Sequence, residues 1–418
     1  MNGSEDISNK TSLELLELFL SNVEYEKGMV KRYNQTLSIS NGMIETKEFP
    51  IWVDGIDLLG YCMDESSRIE GIYDGNMPAG DVRREAKKIA SSLKNTPLDY
   101  VFYLKLPDGL EFENDLIISD QIKIFKADTL IVDSISTANI NTYRRREFNL
   151  KAAVFQEGVE IKPEFTNLEV GSTYLAIKTK GLVSRLSTIT ESIDPLHVYK
   201  IFIAFLNIEN LLHYGSMLQE ILSRNGEADH GKEALVYKDN YQFVTEIDRP
   251  KDEYAFVSRL VFSAEAKQKD ALVLELNKFS MLIMKMNNVY LDQERNKIIN
   301  SLYWYFESTR SANGAFKTML DVSMIDSFFT LNDKKEDKFK QIILEKNPTS
   351  KPNKNSDEWK SLSNLYDRRN EIAHGKVHLL EVDSKNKANK HINIINDGNI
   401  RSLYKALIKS KIEKLLTN

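Results

Sequence analysis

The chain has a single cysteine, Cys62, among its 418 residues. One thiol cannot close an intrachain disulfide, nor build a cysteine-based zinc site within one chain. Long apolar runs are missing too. The stretch "IFIAFLNIENLL" is broken by Asn207, Glu209 and Asn210, and nothing approaches the ~18 residues of a membrane-spanning helix. Neither sign of charge dominates, since 56 basic and 61 acidic side chains leave a net −5. Such a balance offers no global attraction for nucleic acid or membranes, so a polyanion would need a local patch. The opening "MNGSEDISNK" lacks the basic and apolar regions of a signal peptide, and the expectation is a cytoplasmic chain with no membrane association. No internal repeat is visible. Histidine is scarce, with six in all, which draws attention to the one in "DRRNEIAHG" at 367–375.

What is present is enough to fold. An apolar fraction of 42% can bury real cores, and the length exceeds what one core usually organises. "TSLELLELFLSNVEYEKGMVKRY" (11–33) has leucines at helical spacing and reads as an opening helix. From about 35 to 180 the texture is β-rich: "TLSISNG", "EGIYDGN", "YVFYLKLPDG", "IKIFKAD", "TLIVDSI", "NLKAAVFQEG" and "STYLAIKTKG" are short β-branched and aromatic runs between turn residues. One helix, about Asp81 to Leu93, interrupts them. From Asp194 helical patterns dominate, with Asp194 as cap and Pro195 in the first turn. The expected fold is α+β and multidomain. A β-rich regulatory domain spans 1–185, a helical connector 186–290, and an all-α domain 291–418.

In that last domain Ile298, Leu302, Tyr305 and Phe306 form one apolar stripe, and Phe316, Leu320, Met324 and Phe328 a second. The lysine-rich "LNDKKEDKFKQIILEKNPTSKPNKNSDE" reads as a link. A third helix starts near Ser356 and stops at Gly375, and a last one carries Leu407, Ile408, Ile412 and Leu415. A four-helix arrangement is the natural packing. On the third helix, Arg369 falls on the apolar face of Trp359, Leu362, Leu365 and Ile372, a costly place for a cation without a partner. Asn370 and His374 are four apart and share a neighbouring face. A guanidinium, an amide and an imidazole thus gather at one helix end. An imidazole can pass a proton near neutral pH, and a guanidinium can stabilise charge on phosphoryl oxygens. Together they suit phosphodiester cleavage; with RNA the 2′-hydroxyl supplies the nucleophile and no metal is required. The plainer alternative is an ion pair between Arg369 and Asp326, with His374 as a helix cap.

"RRNEIAHG" resembles the R-N-x3-H signature of HEPN domains. Upstream, "NSLYWYFESTRSANGAFKTMLDVSMIDSFF" is similar to two helices of the Apea-like branch, and the resemblance covers about 130 C-terminal residues. It implies a HEPN four-helix bundle acting as a metal-independent endoribonuclease without cofactor, homodimeric through that bundle, in anti-phage abortive infection. Arg369 and His374 would be catalytic, Asn370 the polar residue between them, and Asp326 a supporting acid where the family more often has Glu. A phage-derived trigger would act at the N-terminal domain. Arg368 and Lys376 flank the motif and could hold RNA phosphates. The alternative is a non-catalytic HEPN module that binds nucleic acid or a protein partner.

Other motifs carry less. Glu371/His374 and Glu227/His230 have the E-x-x-H spacing of di-iron bundles, but Gly226 and Gly231 flank the second pair. "VEIK" (Glu160, Lys162) runs into Pro163 with no acidic partner. The "GKE" at Gly231 lacks a P-loop's glycines and Ser/Thr. "YRRRE" (Tyr143 to Glu147) is the densest basic run of the β-rich part and reads first as a solvated turn. His197 and His213, on an apolar helical pattern, read as core or boundary residues, as do Tyr305 and Phe306 of "YWYF".

Overall fold

Thr11 and Glu14 close a capping box: the Thr11 N–H donates to Glu14 Oε2 (2.7 Å) and the Glu14 N–H to Thr11 Oγ1 (3.3 Å). They start helix α1 (Ser12–Ser21), which buries Leu15, Leu16, Phe19 and Leu20. The structure, a computed structural model, describes residues 10–26, 29–33, 55–66, 69, 73–139, 167–184, 188–191, 194–214, 234–247, 253, 256–283, 293–310, 314–329, 333–374 and 387–417. Of the sequence readings, "TLSISNG", "NLKAAVFQEG", "YRRRE", "VEIK", "EADH", Gly375 and Lys376 lie outside these residues.

The helix expected over 11–33 ends at Asn22, whose side-chain amide donates to the Leu18 carbonyl (2.8 Å). Beyond it the spacing changes from helical to alternating. "VEYE" and "MVKRY" form the antiparallel strands β1 (Val23–Glu26) and β2 (Met29–Tyr33). Helix α2 (Gly55–Ser66), strand β3 (Gly75–Asn76) and helix α3 (Ala79–Leu93) follow. α1 packs on α2 and α3, and Leu15, Phe19, Leu58, Cys62, Ala86 and Ile89 share one core. The N-terminal part is therefore mixed, not strand interrupted by a single helix.

Contacts divide the chain into two units. The first comprises 1–106, 121–192 and 229–249, the second 107–120, 193–228 and 250–418. At the centre of the first is β4 (Leu98–Lys105), antiparallel both to β7 (Thr173–Val183) and to β10 (Ala234–Lys238). The order continues to β11 (Phe243–Ile247) beyond β10 and to β6 (Ile122–Lys126) beyond β7. β8 (Thr188–Thr190) also pairs with β7, and a Cβ at Gly181 would lie 1.9 Å from the Ile189 carbonyl oxygen, so that approach requires glycine. Val101, Tyr103, Tyr174, Ala176 and Tyr237 point by strand alternation into one core. "TLIVDSI", expected as a strand, is helix α4 (Thr129–Ala138) because Asp128 caps it, accepting from the Ile131 N–H at 2.8 Å. Buried Asn139 ends α4, donating to Tyr241 O (2.8 Å) and accepting from the Phe243 N–H (2.6 Å). That pins the helix to the β10–β11 hairpin. Both hairpin strands lie in a stretch expected to be helical; their pairing with β4 overrides the local pattern.

The second unit holds β5 (Leu116–Ser119), helix α5 (Pro195–Ile208), the antiparallel pair β9 (Leu212–Tyr214) and β12 (Leu260–Phe262), and helix α6 (Lys269–Ile283). Its C-terminal region is helical: α7 (Gln293–Arg310), α8 (Gly314–Asp326), α9 (Lys335–Lys346), α10 (Asp357–Ala373) and α11 (Lys387–Thr417). Asp194 caps α5 through the Leu196 N–H (3.0 Å), and α5 packs along α7, where Tyr305 Oη donates to Asn207 Oδ1 (2.7 Å). The lysine-rich segment expected as a link contains α9, which buries Phe339, Ile342 and Ile343 at helical spacing. A fifth helix is thus present where four were expected. Phe316, expected in the second stripe, is exposed, whereas Leu320, Met324 and Phe328 are buried. No helix among the described residues is long and apolar enough to cross a membrane.

Candidate functional site at the end of helix α10

Ser356 starts α10, its Oγ accepting from the Trp359 N–H (3.2 Å), with Asp357 and Glu358 favouring the positive helix end. Trp359, Leu362 and Ile372 are buried and Leu365 half-buried, so this stripe fixes which way the helix faces. On α9 the Phe339 ring meets Trp359 (5.4 Å) and Tyr366 (5.3 Å) edge-on. α8 and α11 also pack against α10.

The last turn carries the motif. Arg369 is half-buried, while Asn370 and His374 are exposed. Arg369 Nη1 donates to Asn370 Oδ1 (3.2 Å), and the His374 N–H donates to the Asn370 carbonyl (2.9 Å), which makes His374 the C-cap residue. Asn370 therefore joins the two, by its side chain to Arg369 and by its backbone to His374. No hydrogen bond joins the Arg369 and His374 side chains among the described residues. Arg368 is half-buried beside them; Lys376 lies beyond the described residues. Arg369 was expected on the core-facing stripe, but its guanidinium is turned to a neighbouring amide at the helix end.

Asp326, the last residue of α8, has other partners. Its Oδ1 accepts from Lys338 Nζ (2.8 Å) and from Tyr366 Oη (2.8 Å). No hydrogen bond or ion pair joins it to Arg369 among the described residues. Burial, and then the Asp326 charge, pushes the Tyr366 phenol well above the usual tyrosine range, while Arg369 pulls it the other way. The guanidinium therefore lies within electrostatic reach of the phenol. Lys335 pairs with Asp367 (2.8 Å) and sits over the Phe339 and Tyr366 rings at 5.6 and 5.8 Å. Tyr366, Lys338 and Lys335 were not singled out in the sequence. The available signal was that Tyr366 precedes Arg369 by three residues and shares its side of the helix.

A second polar cluster lies between α5 and α7. Lys200 Nζ reaches Glu307 (2.8 Å) and Glu253 (3.2 Å), and Glu307 also pairs with Arg310 (2.5 Å). Burial works against the Lys200 charge, but the Glu307 hydrogen bond and both carboxylates more than offset it. The half-buried His197 ring stacks on Tyr303 at 4.5 Å and 11°. Its pKa falls below the usual value because of burial, with Lys200 adding to the effect. Two cations balance two carboxylates here, so the cluster ties helices together. His213, read on a helix, instead lies exposed on β9. Among the described residues no group of three or more His, Cys, Asp or Glu side chains is placed to hold a metal ion. Comparison of the chain with protein-family models, curated proteins and solved structures gives no match.

Proposed function

We propose that the chain is a HEPN-type, metal-independent endoribonuclease acting in anti-phage abortive infection, its C-terminal helices forming the catalytic bundle. The observation that carries the reading is the grouping of Arg369, Asn370 and His374 on the accessible last turn of α10. An imidazole takes the proton from the ribose 2′-hydroxyl, and the 2′-oxygen attacks the adjacent phosphorus. Arg369 stabilises the charge gathering on the phosphoryl oxygens. The 5′-oxygen leaves with a proton from a second imidazole, giving a 2′,3′-cyclic phosphate and a 5′-hydroxyl. Since each chain has one such histidine, the acid and the base come from two subunits across a two-fold axis. Arg368 and Lys376 hold neighbouring phosphates, and the N-terminal part restrains the reaction until a phage-derived signal arrives. Incubating the purified chain with total RNA in EDTA, then sequencing the new ends, tests this. Cyclic-phosphate and 5′-hydroxyl ends are expected; no cleavage until magnesium is added would sink the mechanism.

One observation favours the second reading, a module that binds nucleic acid or a protein without cutting it. No hydrogen bond joins the Arg369 and His374 side chains to each other among the described residues. Retarded but intact RNA would decide for binding alone.

A further inference from the structure

Asp326 reaches α10 from the end of α8 by a hydrogen bond from Tyr366, and it binds Tyr366 and Lys338 with one and the same oxygen. Tyr366 and Arg369 are i and i+3 on α10, so their side chains are neighbours on one side of the helix. A long guanidinium arm one turn from a residue that holds a carboxylate would ordinarily compete for it, because a charge-assisted pair is stronger than a bond to a neutral amide. Instead Arg369 donates to Asn370. We propose that Tyr366 is a positioning residue. With Lys338, its hydroxyl anchors Asp326 through Oδ1, fixes the direction of that carboxylate, and leaves the guanidinium of Arg369 turned toward Asn370 and the helix end. The kinetic consequence rests on the ribonuclease reading; the placement of Arg369 does not.

Surrounding contacts make this testable with little disturbance. The Tyr366 ring is held by Phe339 and lies under Lys335, contacts that a phenylalanine keeps. Tyr366→Phe deletes only the hydroxyl. Asp326 then keeps Lys338 but loses its anchor on α10, so the carboxylate is released to turn toward Arg369. The change should lower kcat about tenfold, the worth of one hydrogen bond to a charged group. Adding Asp326→Asn removes the charge that captures Arg369, so the double variant should recover most of the loss. A tyrosine that merely supports packing would give losses that add.

Four full-length chains would be compared: wild type, Tyr366→Phe, Asp326→Asn and the double variant. Two readouts are needed, RNA-cleavage kinetics and the ¹⁵Nε resonance of Arg369, assigned by its absence in Arg369→Lys. The resonance should shift in Tyr366→Phe and return in the double variant, with kcat following it. An unmoved Arg369 resonance in Tyr366→Phe overturns the proposal whether or not RNA is cut. Additive losses of kcat in the double variant overturn it as well. If the resonance moves and returns while the wild type cuts no RNA, the positioning role stands and the ribonuclease reading falls.

Discussion

Replacing Arg369 or His374 by alanine should separate chemistry from stability. Arg369 makes one hydrogen bond among the described residues, at 3.2 Å to the side chain of the next residue, and the His374 side chain is exposed. What His374 contributes to the helix end is its backbone N–H, which alanine retains. Neither substitution opens a cavity or strands a buried partner, so each should stay within about 0.5 kcal/mol of wild type. At this size that moves the melting temperature by roughly 2 °C or less. The catalytic cost is far larger. Losing a charge stabiliser aimed at the transition state costs about 10²–10³ in rate, and losing a general acid–base group about 10²–10⁴. Arg369→Lys keeps the charge but not the planar fork, and should fall between wild type and alanine. A quenched fluorescent RNA gives the rates, and a thermal melt of the same samples gives the stability. Wild-type cleavage in both alanine variants would end the ribonuclease assignment. A melting temperature lowered by more than about 5 °C would show instead that the last turn of α10 supports the fold, contrary to its exposure.

Heterodimers of wild type and His374→Ala, purified through two different tags, should lose most of the cleavage rate, because acid and base come from different subunits; a rate near half of wild type would mean that each chain works alone. Acid sensitivity should have a contribution from His197. Its pKa is lowered in the fold from 6.5, chiefly by burial, so the unfolded chain binds a proton that the folded one resists. The stability linked to it is complete above about 6.5 and declines as pH falls from there to the depressed folded value. His197→Phe keeps an aromatic ring against Tyr303 and should melt with less dependence on pH between 7.5 and 5; an unchanged dependence would remove His197 from the account.

Much of the α10 site was legible in the sequence because it is local. Ser356 as cap, the acidic first turn and the stripe of Trp359, Leu362 and Ile372 are set by hydrogen bonds and spacings within a few residues. So are Asp194 with Pro195 at α5, and the order of Arg369, Asn370 and His374 along one helix turn. The readings that changed turn on competition between local signals or on distant partners. "TLIVDSI" has the composition of a strand, but one capping bond from Asp128 and a core contact by Ile135 make it a helix. The stripe of α9 was hidden among lysines, and β10 and β11 take their conformation from pairing that begins with β4, more than a hundred residues earlier. At the site the undecided matter was the partner of Asp326. Arg369 and Tyr366 lie one turn apart on the same side of α10, so sequence spacing admits either. The packing of α8, α9 and α10 sets how α10 is rotated about its axis, and that rotation brings the phenol of Tyr366, not the guanidinium of Arg369, to the carboxylate.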